Sequence, residues 1–297
     1  MRSIIFLLFG GIILSQPRIG EMRSVTSTLE VRGLAFLGDD ILLATGGGLV
    51  AYNTKSQLTT TYTRDHGLLD TDINTVHVGP MKKIWLGSNS GIQVWDPLKE
   101  SIVNWFQLDI ESVSGFTNYK EMVYSSVKQN EKWGIMEFIY SNEKNYYRDF
   151  YFRDDIDEIV NIITFGDEII LHNDKGLISG NPHKEHPINW ENPFPAIIGK
   201  IQAIDAKNKN LSIICSDRAY SIEIGGLPQI IVTDEIYLPS INHVSVRGNL
   251  DFIAISDSGI FSIGMDKLEK LYSISDIKFS SVINFDSQIW LGLEIGF

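Results

Sequence analysis

The residues of this sequence best suited to chemistry lie in a short proline-rich stretch, where His183, Glu185 and His186 stand within four positions of one another. Two imidazoles and a carboxylate are ligands that zinc accepts. No other ligand can be placed beside them from the sequence, so we favour a solvated loop over a metal site. The motifs of serine hydrolases, zinc proteases and phosphate-binding loops do not occur in the chain, and we predict no catalytic residue, no metal and no cofactor.

Carboxylates cluster at two further places. The run Asp154-Asp155-Ile156-Asp157-Glu158 offers oxygen ligands that suit Ca²⁺. It lacks the glycine-punctuated spacing of a calcium-binding loop, so we favour a solvated connection. Asp70 and Asp72 could form the carboxylate pair of a glycoside hydrolase, but the sequence does not fix their distance from any other acid.

Aromatic side chains on loops are a third kind of candidate, because they commonly anchor sugars or peptides. The segment His186 to Ala196 carries Trp190 and Phe194 among prolines. We predict a ligand-binding loop face that comprises Trp190, Phe194, Asp154, Asp155, Tyr237 and His66. For Trp190 and Phe194 we place another interpretation ahead of ligand binding, in which the two side chains only cover a gap between neighbouring structural units.

The composition limits the partners. Hydrophobic residues make up 43% and charged residues 21%, which is typical of a folded protein. The 25 Lys and Arg against 37 Asp and Glu give a net charge of −12. Binding to phosphates needs the opposite sign, so nucleic acid is not expected as a partner and an anionic membrane surface is disfavoured.

The first sixteen residues have the pattern of a signal peptide. Arg2 precedes an apolar stretch from Ile4 to Leu14, and the small residue Ser15 precedes Gln16. The stretch is shorter than the roughly 20 residues that span a bilayer, so we expect export with no stable membrane span after cleavage. The single cysteine, Cys215, lies in an apolar run and is predicted to be a buried strand residue with no disulfide.

A repeat positions all of these residues. Each unit contains an apolar strand, a tight polar or glycine-rich turn, and an alternating strand, as in ILLATGGGLVAYN and KIWLGSNSGIQVWD. The residues predicted to open the strand after this turn are Gly48, Gly91, Gly134, Gly176, Ala219, Gly259 and Gly296. A period of about 40 residues is typical of a β-propeller, and no helical stripe interrupts it.

Each unit also has a preceding apolar strand, and several have a more polar fourth strand, such as Asn145 to Phe152. We therefore predict an all-β fold: a β-propeller of about seven four-stranded antiparallel blades, the last of them incomplete. In this geometry the connections between blades gather on one face with the turns between second and third strands. The predicted connections of that face are Arg64 to Asp72, Arg153 to Glu158, His186 to Ala196 and Asp234 to Ser240.

The second unit resembles the two-component regulator propeller repeat. The similarity rests on the stretch from Gly67 to Asn74, on Ile84-Trp-Leu-Gly-Ser88, and on the stretch from Asn89 to Pro97. Ile289-Trp-Leu-Gly292 repeats the tryptophan strand, and the first hundred residues are also similar to the N-terminal propeller of Por (type IX) secretion proteins. The place of Asp70 and Asp72 in this motif indicates a turn.

The resemblance implies a periplasmic or cell-surface location in a Gram-negative bacterium and a role in sensing or envelope assembly. Sensors of this kind continue into an immunoglobulin-like domain, a membrane helix and a kinase. The last unit stops after its second strand, so either the segment from Ile19 to Val31 pairs with the last blade or the chain is a fragment. We favour residues 1–16 as signal peptide and residues 17–297 as the propeller at the start of a longer protein.

The sequence thus predicts a non-catalytic module that binds an unknown ligand, either a carbohydrate, a peptide or a lipopolysaccharide-like molecule, or that docks an envelope protein. The competing hypothesis is a hydrolase or lyase that acts on polysaccharide through acids and histidines around the central channel. These hypotheses make different structural predictions, because the enzyme needs those side chains to converge.

Overall fold

The computed structural model describes residues 27–142, 144–173, 175–232, 239–248, 250–273, 278–285 and 288–294. In these ranges the chain forms antiparallel β-strands and three short 3₁₀ turns, at Arg64–His66, Pro80–Lys82 and Pro187–Asn189. The predicted signal peptide and Tyr237 lie outside the described residues.

The strands form seven separate antiparallel sheets, in chain order. The first comprises β1 (Val31–Leu37), β2 (Asp40–Thr45), β3 (Gly48–Asn53) and β4 (Thr59–Tyr62). The second comprises β5 (Ile73–Val78), β6 (Ile84–Ser88), β7 (Gly91–Asp96) and β8 (Ser101–Phe106). The third comprises β9 (Ile110–Tyr119), β10 (Met122–Gln129), β11 (Lys132–Ser141) and β12 (Lys144–Phe152). The fourth comprises β13 (Ile159–Phe165), β14 (Glu168–Asn173) and β15 (Gly176–Gly180).

The remaining sheets follow the same order. The fifth comprises β16 (Ile201–Lys207), β17 (Asn210–Cys215), β18 (Ala219–Glu223) and β19 (Gln229–Val232). The sixth comprises β20 (Ile241–Gly248), β21 (Asp251–Ser256), β22 (Gly259–Gly264) and β23 (Lys267–Tyr272). The seventh comprises β24 (Lys278–Phe285) and β25 (Gln288–Glu294).

The first strand of each sheet lies innermost and packs on the first strand of the next sheet, from β1 through β5, β9, β13, β16 and β20 to β24. The ring closes where β24 packs on β1. There the Ser280 hydroxyl donates to the carbonyl oxygen of Val31, and the rings of Tyr52 and Trp290 lie 5.9 Å apart. The fold is therefore a β-propeller, and the predicted all-β class and incomplete last blade are confirmed. Val31 opens β1 of the first sheet, and residues 19–26 lie outside the described residues.

The hydrophobic core is divided among the interfaces between sheets. Each cluster of buried side chains comes from two neighbouring sheets, because a sheet in a propeller buries both faces against its neighbours. Between the second and third sheets, Trp85 lies 6.2 Å from Phe116 and 5.1 Å from Phe138, measured between ring centroids. Within the described residues no ladder of backbone hydrogen bonds connects one sheet to the next. Side-chain contacts such as these aromatic ones therefore hold neighbouring sheets together.

The repeated turn explains the glycine period. Gly48, Gly91, Gly176 and Gly259 open the third strand of their sheets with φ between 135° and 143°. A side chain there would be strained, and at Gly91 its Cβ would also clash with the carbonyl oxygen of Phe106. The prediction is wrong for Gly134, because β11 begins two residues earlier, at Lys132. Gly296 lies outside the described residues.

Two sheets depart from the repeat. The third sheet is built from strands of 10, 8, 10 and 9 residues, whereas the outermost strands β4 and β19 have four each. The fourth sheet has three strands within the described residues, so the prediction of a complete fourth unit is wrong. Residues 181–200 replace its outer strand and bridge β15 only where Ser179 N donates to Glu191 O (2.9 Å). Four prolines in that segment remove the donors that a strand requires.

Candidate ligand-binding site

Connections between sheets and turns between second and third strands lie on one face of the ring, which we call the entrance face. Contacts between the two kinds of loop define it: the Ser90 hydroxyl donates to Asp70, and Lys175 Nζ donates to the carbonyl oxygen of Asp155. Each innermost strand carries a β-bulge near its start on this face. The bulged residues are Arg32, Asn74, Ser114, Val160, Gln202, Asn242 and Ser280. Bulges re-aim side chains, and here they surround one mouth of the channel.

On the first two sheets the mouth is filled by an ion-pair network. Arg32 Nη1 donates to Asp72 Oδ1 (2.6 Å) and Asn74 Oδ1 (3.1 Å), while its other nitrogens donate to Glu30. The bond to Glu30 raises the pKa of Arg32. Asn74 Nδ2 in turn donates to Asn89 Oδ1 (2.6 Å). These groups satisfy each other and hold the first two sheets together.

Asp70 and Asp72 have structural roles. Asp70 Oδ1 accepts from the backbone N–H of Asp72 (3.1 Å), so the two residues form a turn, as the motif indicates. Burial acts to raise the pKa of Asp70, but hydrogen bonds from Ser90, Ser88 and backbone N–H groups outweigh it and the pKa is lowered. The buried Gln93 side chain holds the same connection through Leu69 N (2.7 Å) and Asp70 O (2.8 Å). Asp70 and Asp72 are thus committed to different partners.

The central channel is lined by bonds from side chains to the backbone of other innermost strands, either those of the adjacent sheet or, for Lys207, that of the sheet after it. Asn118 Nδ2 donates to Val78 O (3.0 Å), and Lys207 Nζ donates to Asn284 O (2.8 Å). Asp205 Oδ2 accepts from Val246 N (2.8 Å), and desolvation raises the pKa of Asp205 to about 6. Burial lowers the pKa of His77, which lies on another part of the ring. Within the described residues, no three His, Cys, Asp or Glu side chains come close enough to hold a metal.

A groove that contains two of the predicted site residues lies at the outer edge of the third and fourth sheets. We call it the rim groove. It has a volume of about 450 Å³ and is lined by Asp149, Phe150, Tyr151, Phe152, Arg153, Asp154, Asp155, His186 and Ile188. One wall is the end of β12 with the connection that follows it, and the other is the 3₁₀ turn at Pro187–Asn189. Phe152 is 38% and Ile188 54% exposed, so the groove offers apolar surface to a ligand.

Arg153 fixes the floor of the rim groove. Its Nε and Nη2 donate to the two carboxylate oxygens of Asp155 (2.9 and 2.8 Å), and its Nη1 donates to Trp190 O (2.6 Å). The bond to Arg153 lowers the pKa of Asp155. The bidentate pair with Asp155 fixes the orientation of the guanidinium, and the bond to Trp190 O ties the connection to the segment that replaces the missing strand.

The expectation of an exposed aromatic is wrong for Trp190. Its side chain is 1% exposed and packs with Tyr124 of the third sheet and Leu171 of the fourth. Glycine at position 180 makes room for the indole ring, because a Cβ there would clash with it. Phe194 is half-buried against the core between the fourth and fifth sheets. Both residues thus lie in gaps between sheets, where the alternative placed them.

A buried carboxylate supports the wall formed by β12. Glu137 is 4% exposed and accepts from Arg148 Nη1 (2.7 Å) and from Tyr151 Oη (2.9 Å). Burial and this bond raise the pKa of Tyr151 to about 12. The Tyr151 ring meets the His186 ring edge-on at 4.9 Å, and His186 Nδ1 accepts from Ile188 N (3.3 Å). The two walls of the groove are therefore in contact and prearranged.

The structure brings some of the predicted site residues together and separates others. Asp154 and Asp155 line the rim groove, with Trp190 behind its floor. Phe194 lines a second groove of about 610 Å³ between the fourth and fifth sheets. His66 is exposed near the first and second sheets, where Nδ1 accepts from Thr63 N (3.2 Å), and Tyr237 lies outside the described residues.

Sequence reasoning missed Asp149, Tyr151 and Phe152 as groove residues, although it predicted the strand that carries them. The available signal was the density of aromatic residues in an outermost strand, five of the seven residues from Tyr146 to Phe152. Within the described part of the chain, no helix has the length and apolar character needed to cross a membrane.

No protein-family model matches the sequence, and no curated protein is significantly similar to it. Solved structures share its propeller fold. PorZ, a surface component of the type IX secretion system of Porphyromonas gingivalis, superimposes with a TM-score of 0.68 at 12% identity, over 91% of this chain and 37% of that chain. The extracellular domain of a protein described as a hybrid two-component system of B. thetaiotaomicron gives 0.66 at 16% identity, over 91% and 38%.

An enzyme also shares the fold. A catalytically inactive variant of virginiamycin B lyase from Staphylococcus aureus, solved with quinupristin, gives a TM-score of 0.68 at 13% identity, over 92% of this chain and 95% of that chain. This chain spans less than two fifths of the length of PorZ and of the two-component-system chain. At these identities the similarity establishes the β-propeller fold alone.

Proposed function

We propose that this chain is an exported, non-catalytic β-propeller that binds a ligand or an envelope component in the rim groove. The observation that carries the proposal is the groove itself: its polar groups are fixed by internal bonds, while Phe152 and Ile188 remain exposed. A concave site with apolar surface and a few fixed polar groups is what binding requires. The envelope-exposed propellers that share the fold support an exported location.

The enzyme hypothesis has less support. The lyase shares the fold, but among the described residues no acids and histidines converge around this channel. Asp205 is held by a backbone N–H, and the pKa of His243 is lowered by burial alone. General acid–base catalysis needs such groups within reach of one substrate. We therefore place binding before catalysis.

The test is a ligand screen with a blocked groove. Thermal shift and calorimetry are measured with maltohexaose, purified lipopolysaccharide, acetyl-hexaarginine amide and acetyl-hexaglutamate amide. Ile188→Trp fills the groove from an exposed position, and Leu98→Trp, on a side chain that is 93% exposed elsewhere, is the matched control. We expect at least one probe to stabilise the wild type and Leu98→Trp but not Ile188→Trp, and mass spectrometry to recover that probe unchanged. Binding that Ile188→Trp retains, or cleavage of a probe, refutes the proposal.

A further inference from the structure

We infer that the occupant of the rim groove is an extended, basic segment of a partner protein, one cationic side chain of which lies against Asp149 and the neighbouring aromatic rings. This inference rests on the proposed function, because it names the ligand class of the same groove. The charge of the lining is the first argument. Three carboxylates line the groove, from Asp149, Asp154 and Asp155, against one guanidinium, from Arg153.

The cations near the groove are already committed. Arg153 already donates hydrogen bonds to Asp155 and to the carbonyl oxygen of Trp190. Arg148, next to Asp149 in sequence, turns away to the buried Glu137 (2.7 Å). Among the described residues Asp149 forms no ion pair, and its Oδ1 accepts only from the backbone N–H of Phe150 (2.8 Å). An exposed carboxylate on the wall of a groove is thus left for an incoming cation.

The protein's own Lys132 shows how a cation binds here. Its Nζ lies 4.1 Å from the centroid of the Phe152 ring and 3.0 Å from Asp154 Oδ1. An ammonium group is therefore held between an aromatic face and a carboxylate at one end of the groove. Phe150 and Tyr151 line the same groove beside Asp149, so rings and a carboxylate also occur together there. Aromatic faces attract guanidinium groups in particular.

The position of the groove favours an extended occupant. β12 is the outermost strand of the third sheet and has nine residues, so a long strand edge leads into the groove. Tyr146 and Tyr147 on this strand are 44% and 36% exposed. Outermost strands are usually short or charged, and a long aromatic one offers a surface for an extended peptide. The net charge of −12 would also steer a basic partner toward the protein.

Calorimetry with acetyl-hexaarginine amide at low ionic strength tests the inference. Asp149→Asn removes the unpaired carboxylate and is expected to weaken binding about five-fold or more. Glu223→Gln is the matched control, because it removes one carboxylate from the larger groove between the fourth and fifth sheets. We expect it to change binding less than two-fold.

Each result has one meaning. Equal losses in Asp149→Asn and Glu223→Gln would attribute binding to general acidity and overturn the inference. Loss of hexaarginine binding in Glu223→Gln alone would place the basic segment in the groove between the fourth and fifth sheets and would overturn the inference as well. Maltohexaose or lipopolysaccharide binding that Ile188→Trp abolishes, with no hexaarginine binding, overturns the basic segment and leaves the proposed function standing. Failure of every probe overturns both. Thermal unfolding of each variant, expected within a few degrees of the wild type, confirms that the losses are local.

Discussion

Replacement of Asp205 by asparagine should stabilise the protein at neutral and alkaline pH. Asp205 lies in the central channel, where desolvation raises its pKa from 3.8 to about 6. The folded state therefore binds the proton more tightly than the unfolded chain does. By linkage, stability falls as the pH rises from about 4 to about 6 and then stays level. A difference of about two in pKa corresponds to about 3 kcal/mol.

Asparagine is neutral at every pH and keeps a carbonyl oxygen that can accept from Val246 N, which lies 2.8 Å from Asp205 Oδ2. We expect Asp205→Asn to raise the free energy of unfolding by up to about 3 kcal/mol at pH 8 and to match the wild type near pH 4. Asp205→Ala loses the acceptor, so it should fall below Asp205→Asn by about 1 to 3 kcal/mol at both pH values.

Urea unfolding followed by tryptophan fluorescence at pH 4, 6 and 8 measures these differences. Other groups titrate in the same range, and the comparison of variant with wild type removes their contribution. The reasoning fails if Asp205→Asn is no more stable than the wild type at pH 8, or if its advantage persists unchanged at pH 4.

Three further predictions concern the turn, the buried carboxylate and the thiol. Gly91→Ala should destabilise the protein by about 2 kcal/mol or more in calorimetry, because φ is 142° and the new Cβ clashes with the Phe106 carbonyl oxygen. Gly38→Ala is the control: its Cβ would lie in open space at φ 64°, so it should lower the free energy of unfolding by only about 1 kcal/mol. Glu137→Gln should lower the free energy of unfolding by about 1 to 3 kcal/mol. It should also lower the pKa of Tyr151 from about 12, so that tyrosinate absorbance rises at a lower pH than in the wild type. Glu269→Gln should change neither quantity. Cys215 is fully buried and burial raises its thiol pKa to about 12, so a disulfide reagent should label it at pH 8 only after unfolding in urea; labelling of the folded protein would contradict its burial.

The fold could be predicted because its physical requirement recurs in the sequence. Only glycine tolerates the φ of the turn before the third strand, so Gly48, Gly91, Gly176 and Gly259 mark the period. The predicted start of the third strand at Gly134 is wrong because Gly134 lies inside β11 and needs no such φ. The missing strand of the fourth sheet was not predicted, although the sequence carries the signal: four prolines between residues 181 and 200 are incompatible with a strand.

The site could be predicted only in part. Asp154 and Asp155 were found because they stand in a connection of the entrance face. The burial of Trp190 depends on Gly180, ten residues earlier, and sequence alone does not show that the two positions meet. The groove itself depends on Tyr151 meeting His186 across two sheets, a contact between distant residues that no local pattern encodes.

The third sheet makes one sector of the ring thicker than the others. Its four strands are longer than those of the neighbouring sheets, yet β9 still packs on β5 and β13 as the repeat demands. Strands of a propeller blade run between the two faces of the ring, so extra residues in them add thickness and leave the number of sheets that close the ring untouched. A single repeat can therefore raise a recognition surface above its neighbours without altering the hub.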